Sequence, residues 1–239
     1  MPSAYRNKAL IRNLLAHAGL RAYHRPDALA QLLARYGVSL VLDVGANAGQ
    51  FGRYLRAMGY RGRMVSFEPL RQAFDKLAAN TATFPEWQAV HMALGDADED
   101  RIINVAGNSQ SSSFLDMLPQ HTASAPKSAY VGTEQVTVRR LDSVFADYCG
   151  PQDRCFLKID VQGFEEAVLR GAAQSLGRCA GVQLEMSVAP LYSGELLLPA
   201  MLEAMAQRGF TLMHLKPGFT DPHSGALLQV DGVFFRKPG

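Results

Sequence analysis

The chain has 239 residues, a length that suits one α/β domain with an appendage better than two full domains. Hydrophobic residues make up 48% and charged residues 19%, and the formal net charge of +2 gives no strong attraction to nucleic acid or anionic membranes. No apolar run approaches the roughly 20 residues that span a bilayer. The three cysteines lack CxxC spacing, which excludes a disulfide framework or a zinc site as the basis of the fold.

Residues 1–36 are predicted to form a helical extension of two helices, broken near Pro26. The first twenty residues are mildly basic and amphipathic, without a continuous apolar core or a small-residue cleavage site, so we do not interpret them as a signal peptide. A cytoplasmic location is therefore expected. The extension is predicted either to cover the active site or to form a homodimer contact, and residues 37–239 form the catalytic domain.

Strands and helices alternate after residue 38, which is typical of βαβ units and a parallel sheet. The predicted elements, in chain order, are strand 39–45, helix 50–58, strand 63–69, helix 71–80, strand 87–94, helix 141–148, strand 155–163, helix 164–176, strand 180–187 and helix 195–207.

Two other regions break this alternation. Residues 102–106 and 134–139 are predicted strands on either side of a Ser-, Pro- and Gly-rich segment, 107–133, which is predicted to be a long loop, either functional or disordered. Strands 210–215 and 228–235 flank a Pro/Gly/Asp-rich connection, so they are predicted to pair antiparallel. The expected fold is an α/β sheet, mostly parallel, with an antiparallel C-terminal hairpin and N-terminal helices.

The strongest functional signal is the segment VLDVGANAGQFG, residues 41–52. Asp43 lies at a strand end, Gly45 and Gly49 bracket a tight strand-to-helix turn, and small residues including Ala46 lie between them. Such a turn lets the backbone approach a ligand closely, and the following helix N-terminus favours an anionic group.

The identity of the cofactor follows from the glycine spacing. A dinucleotide fingerprint requires G-x-G-x-x-G, but the three positions are occupied by Gly45, Asn47 and Gln50. S-adenosylmethionine has no pyrophosphate; its carboxylate would meet N–H groups of the turn and its ammonium would meet Asp43. The spacing therefore favours S-adenosylmethionine over NAD.

A second acid supports this interpretation. Glu68 ends the second strand, 23 residues after Gly45, where a carboxylate can accept hydrogen bonds from ribose hydroxyls. Asp96, after the third strand, is predicted to meet the adenine amino group, and Leu94 to contact the ring. All of these residues lie at carboxyl ends of strands, where open α/β sheets bind ligands.

Six motifs occur along the chain in the order VLDVGANAGQFG, SFEP, ALGD, SSSF, VRRLDSV and FLKIDVQGFEEAVLRGA. With these motifs the chain resembles the FkbM-like family of class I S-adenosylmethionine-dependent methyltransferases. The resemblance implies a Rossmann-like, seven-stranded sheet, O-methyl transfer to a sugar or secondary metabolite, and cofactor contacts from the first two motifs. The cofactor positions it implies, taken with those above, are Asp43, Gly45, Ala46, Asn47, Gly49, Phe51, Glu68, Pro69, Leu94, Asp96 and Asp160.

One position departs from the family pattern. Gln162 stands where many relatives carry Glu. A hydrogen-bonding role suits this residue, whereas a role that requires a negative charge does not.

An aliphatic hydroxyl is a poor nucleophile until its proton leaves, so a base or a metal ion should assist the transfer. Three acids lie where such helpers are expected: Asp231 in the last strand, and Asp160 and Glu185 at the ends of the fourth and fifth parallel strands. The ends of these two parallel strands should face one crevice, so Asp160 and Glu185 should approach each other. They are predicted to act as base and orienting group, or as two oxygen ligands for Mg²⁺. His121, in the long loop, is the alternative base, and Lys158 is predicted either to pair with an acid or to extend to a sheet edge.

The preferred acceptor is a small-molecule hydroxyl, and no nucleic-acid partner is expected. Three rival hypotheses remain open: a dinucleotide-dependent oxidoreductase, a methyltransferase for a protein or RNA, and a non-catalytic Rossmann-like interaction module.

Overall fold

The computed structural model describes residues 27–236, and a seven-stranded sheet forms its centre. The strand order is β3-β2-β1-β7-β8-β10-β9, and every neighbouring pair is parallel except the two that involve β10. These strands are β1 (Leu40–Val44), β2 (Arg63–Phe67), β3 (Trp87–Val90), β7 (Cys155–Ile159), β8 (Cys179–Ser187), β9 (Phe210–Pro217) and β10 (Gln229–Arg236). The predicted mostly parallel sheet with an antiparallel C-terminal hairpin is confirmed.

Seven α-helices connect and cover the strands of the described chain. They are α1 (Ala28–Arg35), α2 (Gln50–Ala57), α3 (Arg71–Thr81), α4 (Pro119–Ser124), α5 (Leu141–Tyr148), α6 (Glu165–Gly171) and α7 (Leu198–Gln207), with 3₁₀ turns at Pro126–Ser128 and Ser175–Arg178. Among these residues, no helix is long and apolar enough to cross a membrane.

The central strand β1 shows why the sheet folds as it does. Leu40, Leu42 and Val44 pack into one hydrophobic cluster and Val41 into the other, because helices cover both faces of the sheet. The same double burial explains the apolar run of β7. The three cysteines are free and buried in the first cluster, as small hydrophobic side chains.

Residues 87–94 form two strands, which corrects the prediction of a single one. The chain leaves the main sheet after Val90, and β4 (Ala93–Gly95) joins a second sheet with β5 (Glu99–Ala106) and β6 (Tyr130–Arg140), in the order β4-β6-β5. At the break, His91 stacks on Phe74 of α3, with ring centroids 4.6 Å apart. Local apolar periodicity cannot report such a change of pairing partner.

The segment 107–133 is also more ordered than predicted. It contains α4 and a 3₁₀ turn, and β6 begins at Tyr130. The Tyr130 hydroxyl donates to the Leu115 carbonyl at 2.7 Å, and Ser113 Oγ donates to the Gln162 carbonyl at 2.6 Å. These contacts with sequence-distant groups fix a segment whose composition alone is typical of a loop.

The N-terminal extension is described only in part. The first of its two predicted helices lies outside the described residues, whereas α1 confirms the second. Asp27 caps α1 by accepting a hydrogen bond from the Ala30 N–H at 3.0 Å, and Leu29 and Leu33 are buried. The boundary at residue 36 and the two roles proposed for the extension, lid or homodimer contact, remain predictions.

Two helices are shorter than their sequence patterns predict. The helix predicted over 164–176 ends at Gly171 as α6, and a separate 3₁₀ turn follows it. Helix α7 begins at Leu198, with a proline in its first turn, rather than at residue 195. Glu195 instead accepts hydrogen bonds from Ser187 and from the backbone N–H groups of Leu191 and Tyr192.

Close packing of α6 on β4 gives a test of the fold. A methyl group at Gly171 would overlap the backbone carbonyl of Gly95, which cannot move without disturbing β4. We expect Gly171→Ala to lower the free energy of unfolding by at least about 2 kcal/mol in urea denaturation. Gly177→Ala, where the methyl group meets nothing within 4 Å, is the control and should be nearly neutral. Equal stabilities of the two variants would contradict this packing.

Candidate active site

Two adjoining pockets lie at the carboxyl ends of β1, β7 and β8, where the strand order reverses. The larger pocket has a volume of about 400 Å³ and the smaller about 50 Å³. Both are lined by Gly45, Asn47, Gln110, Asp160 and Gln162. The two pockets therefore form one cleft, with the turn after β1 and the residues after β7 between them.

The turn after β1 brings its backbone against the neighbouring strand end. Gly45 has a φ of 74°, and a Cβ there would overlap the carbonyl oxygen of Asp160, so only glycine fits. The N–H groups of Gly45 and Ala46 donate to the Phe67 carbonyl at 3.1 and 3.0 Å. Asn47 also has a positive φ, 47°. The glycine predicted from sequence is thus required by a close backbone approach.

Glu68 is buried beside this turn. Its Oε2 accepts a hydrogen bond from the Asn47 N–H at 2.8 Å, and its Oε1 accepts one from the Leu70 N–H at 2.9 Å. Burial raises the pKa of Glu68 to about 7, although the two N–H groups oppose that rise. Together with Pro69 and Leu94, Glu68 lines the smaller pocket, and the cofactor contacts expected of these three residues stay a prediction.

A buried ion pair joins β1 to β7 beneath the cleft. Lys158 Nζ lies 3.3 Å from Asp43 Oδ1 and 3.3 Å from Asp160 Oδ2, and Ser66 Oγ donates to Asp43 at 3.1 Å. Burial raises the pKa of Asp43, and the ammonium of Lys158 opposes this. Burial lowers the pKa of Lys158, but the carboxylates of Asp160 and Asp43 outweigh it and raise the pKa. The predicted acid partner of Lys158 is confirmed.

Asp160 and Glu185 meet at the mouth of the cleft, as their strand ends suggested. Gln162 Nε2 bridges them, donating to Asp160 Oδ1 at 3.0 Å and to Glu185 Oε2 at 2.6 Å. Gln229 Nε2 also donates to Glu185 Oε2, at 2.9 Å. Burial raises the pKa of Glu185 well above its ordinary value, and the charges of Asp160 and other nearby acids add to the effect.

Four of the predicted site residues do not line the cleft. Asp43 is buried in the sheet, and Gly49 lies beneath the turn, donating its N–H to the Ala46 carbonyl at 2.8 Å. Asp96 pairs with Arg170 at 2.6 Å, outside both pockets. His121 is 3% exposed and packs against the ring of Tyr192, and its burial lowers its pKa. The predicted roles of these residues in contacting cofactor or substrate gain no support from their positions.

Apart from Asp231, the outer wall of the larger pocket was not predicted from the sequence. It includes His214 and Lys216 of β9 and Asp231 of β10, with Tyr54 of α2 opposite. The available signal was the alternation of polar residues in the last two strands. That pattern alone is typical of a solvated edge strand, and only the tertiary fold turns it towards the cleft.

S-adenosylmethionine and Mg²⁺ are the two groups that the sequence led us to expect in this cleft. The smaller pocket offers a buried carboxylate and apolar side chains, which fit a nucleoside, and the turn offers close backbone to a charged amino-acid end. For a metal ion the fit is poor. Asp160 and Glu185 already face the amide of Gln162, and no group of three or more His, Cys, Asp or Glu side chains in residues 27–236 is arranged to hold one.

Together, the strand order and the cleft at its reversal define a Rossmann-like class I methyltransferase fold. The chain matches the family model described as the methyltransferase FkbM domain over residues 43–212. It therefore belongs to the FkbM methyltransferase family, and the resemblance noted in the sequence is confirmed.

Curated relatives are distant. The 2-O-methyltransferase NoeI of Sinorhizobium fredii is 25% identical, over 70% of this chain and 70% of NoeI. The AMB antimetabolite synthetase AmbE of Pseudomonas aeruginosa is 27% identical over 56% of this chain, which spans only 8% of the length of AmbE. A solved S-adenosylmethionine-dependent methyltransferase from Mesorhizobium loti has a TM-score of 0.49 at 8% identity, covering 87% of this chain and 96% of that one.

Removing the buried cation tests the ion pair. We expect Lys158→Met to lower the free energy of unfolding at pH 8 by about 3–5 kcal/mol, because Asp43 is left charged and unpaired in the sheet. Burial holds the pKa of Asp43 above its ordinary 3.8, and loss of the ammonium raises it further. The destabilisation is therefore full above that raised pKa and shrinks as the pH falls towards 3.8.

Urea titrations at pH 5 and pH 8 measure this difference. Lys216→Met, which removes an exposed lysine from the same cleft, is the matched control and should cost less than about 1 kcal/mol at either pH. Adding Asp43→Asn to Lys158→Met should recover part of the lost stability at pH 8. A pH-independent loss in the single variant would show that Asp43 is not the group left unpaired.

Proposed function

We propose that this protein transfers the methyl group of S-adenosylmethionine to a hydroxyl group of a small molecule. The observation that carries the proposal is the cleft in which a recess lined by Glu68 and apolar side chains adjoins a larger pocket bearing the paired carboxylates of Asp160 and Glu185. Membership of a methyltransferase family supports the transfer chemistry. The name of the distant relative NoeI, a 2-O-methyltransferase, supports oxygen as the acceptor atom.

The recess would hold the nucleoside through residues already oriented for it. Glu68 uses its two oxygens on backbone N–H groups, and their remaining lone pairs can accept ribose hydroxyls. Leu94 supplies apolar surface for the adenine ring. The turn at Gly45, Ala46 and Asn47 would pack against the amino-acid end, but its three N–H groups already donate to the Phe67 carbonyl and to Glu68 and are not free for the carboxylate. When bound, S-adenosylmethionine supplies an electrophilic methyl group on a positively charged sulfur.

Asp160 is the proposed base because it lines both parts of the cleft. Asp160 would accept the hydroxyl proton as the acceptor oxygen takes the methyl group, and the bound cofactor would retain the electron pair of its carbon–sulfur bond. Lys158 and Gln162 fix the carboxylate from two sides. Positioning of the two reacting atoms would supply most of the remaining acceleration.

The larger pocket would bind the acceptor. Its outer wall carries the hydroxyl of Tyr54, the imidazole of His214, the ammonium of Lys216 and the carboxylate of Asp231. A wall of donors and acceptors suits a molecule with several hydroxyl groups, such as a sugar, better than a purely apolar compound. The Mg²⁺ prediction plays no part in this mechanism and is left to experiment.

Cofactor binding is tested with S-adenosylhomocysteine, the demethylated product, by isothermal titration calorimetry. We expect the wild-type protein to bind it at pH 8, above the pKa of Glu68, and Glu68→Ala to bind about 10- to 100-fold more weakly, because hydrogen bonds to an ionised carboxylate are lost. Glu203→Ala, which removes an exposed carboxylate from α7, should bind as the wild type does. If the wild-type protein shows no affinity for S-adenosylhomocysteine, the proposed function is wrong.

Turnover is tested with ³H-methyl-labelled S-adenosylmethionine and a panel of monosaccharides, glycosides and phenols. We expect transfer to at least one hydroxyl compound, and Asp160→Asn should lower kcat about 100-fold or more while changing the Kd for S-adenosylhomocysteine less than tenfold. Parallel reactions contain EDTA or Mg²⁺. Activity that survives EDTA supports the mechanism above, whereas loss that Mg²⁺ restores would replace it with a metal-assisted one. Exclusive transfer to protein or RNA would overturn the proposed acceptor class.

A further inference from the structure

Gln162 has a backbone conformation that is unfavourable for its residue type. Its φ is 57°, in the left-handed region, where a long side chain costs about 1 kcal/mol or more. The Ser113 hydroxyl holds this backbone in place by donating to the Gln162 carbonyl at 2.6 Å. Glycine would fit without strain, so the side chain of Gln162 must contribute something that outweighs the conformational cost.

The side-chain amide of Gln162 is engaged at both ends. Nε2 donates to Asp160 at 3.0 Å and to Glu185 at 2.6 Å, so both amide hydrogens point at carboxyl groups from neighbouring strands. Oε1 accepts a hydrogen bond from the hydroxyl of Tyr192 at 2.7 Å. The carboxylate of Asp160 only accepts hydrogen bonds, so it requires the N–H₂ end of the amide to face the carboxyl groups, and the buried hydroxyl of Tyr192 then completes the hydrogen bonds of Oε1.

The bridge brings two acids together without a cation between them. Lys158 contacts Asp160 on its other oxygen, Oδ2, and Gln229 is a neutral donor to Glu185. Two ionised carboxylates so placed repel one another, and only one negative charge is favoured across the pair. Burial raises the pKa of Glu185, and the charges of Asp160, Glu165 and Asp231 add to that rise while the ammonium of Lys158 opposes it, so Glu185 is the member of the pair that keeps the proton.

We propose that Gln162 is a positioning residue whose amide, anchored by Tyr192, holds Asp160 and Glu185 as a pair that carries a single negative charge. This inference rests on the proposed function, in which Asp160 takes the hydroxyl proton. The amide keeps the Asp160 carboxylate aimed between the two pockets, while neutral Glu185 leaves it as the one charged acceptor of the pair.

Carbon-13 NMR of protein labelled at the Asp and Glu carboxyl carbons tests the pair directly. Gln162→Glu replaces the bridging donor with a third carboxyl group, so the titration midpoint of Glu185 should rise by about one pH unit or more. Gln152→Glu adds the same charge in an exposed turn and should move that midpoint by less than about 0.3 units. Equal midpoints for Glu185 in wild type and Gln162→Glu would overturn the inference.

A second pair of variants separates positioning from folding. Gln162→Gly relieves the strained backbone, so its urea midpoint should be no lower than that of the wild type, yet its kcat should fall at least tenfold with the KM for S-adenosylmethionine changed less than threefold. Tyr192→Phe should change kcat in the same direction, and wild-type kcat in both variants would contradict the proposal.

The two proposals fail in different ways. A wild-type protein that binds no S-adenosylhomocysteine and transfers no methyl group defeats the proposed function, whatever the carboxyl titrations show. An active wild-type enzyme whose Gln162 variants keep its kcat and its Glu185 midpoint defeats only the positioning role.

Discussion

The position of Lys158 between Asp43 and Asp160 is the constraint on which the rest of the cleft depends. It places a cation inside a sheet whose central strands are otherwise apolar, and it ties β1 to β7 where the strand order reverses. The network continues on both sides, through Ser66 to the indole N–H of Trp87, and through Asp160 to Gln162. A buried charge is tolerated only when it is paired in this way, so the network fixes the geometry of the strand ends.

The two partners of Lys158 have different environments and therefore different uses. Asp43 is 1% exposed and accepts a hydrogen bond from Ser66, so its charge serves the fold. Asp160 faces both pockets and shares the amide of Gln162 with Glu185. Lys158 thus neutralises the buried Asp43 and orients the accessible Asp160. The packing of the sheet therefore determines where the charges of the cleft lie.

Sequence patterns predicted the main sheet well because its strands are buried on both faces and its helices are amphipathic. They failed in residues 87–94, where the chain passes from one sheet to another. They also failed in residues 107–133, where hydrogen bonds that the local composition does not reveal hold a polar segment in place. His121 illustrates the second failure: its loop-like neighbours suggested an accessible base, but aromatic rings bury it. Asp96 was expected to contact the adenine amino group, but it forms an ion pair with Arg170, which is distant from it in the sequence.

By itself the sequence determined the fold class, the family, the turn at Gly45 and the positions of Glu68, Asp160 and Glu185 at strand ends. These features are encoded locally, by glycine spacing, by apolar runs and by acids that follow them. Only the tertiary structure decided that Asp43 faces inward, that Gln162 bridges two acids and that the C-terminal strands wall the larger pocket. Those outcomes depend on the register between strands far apart in the chain, which no local pattern specifies.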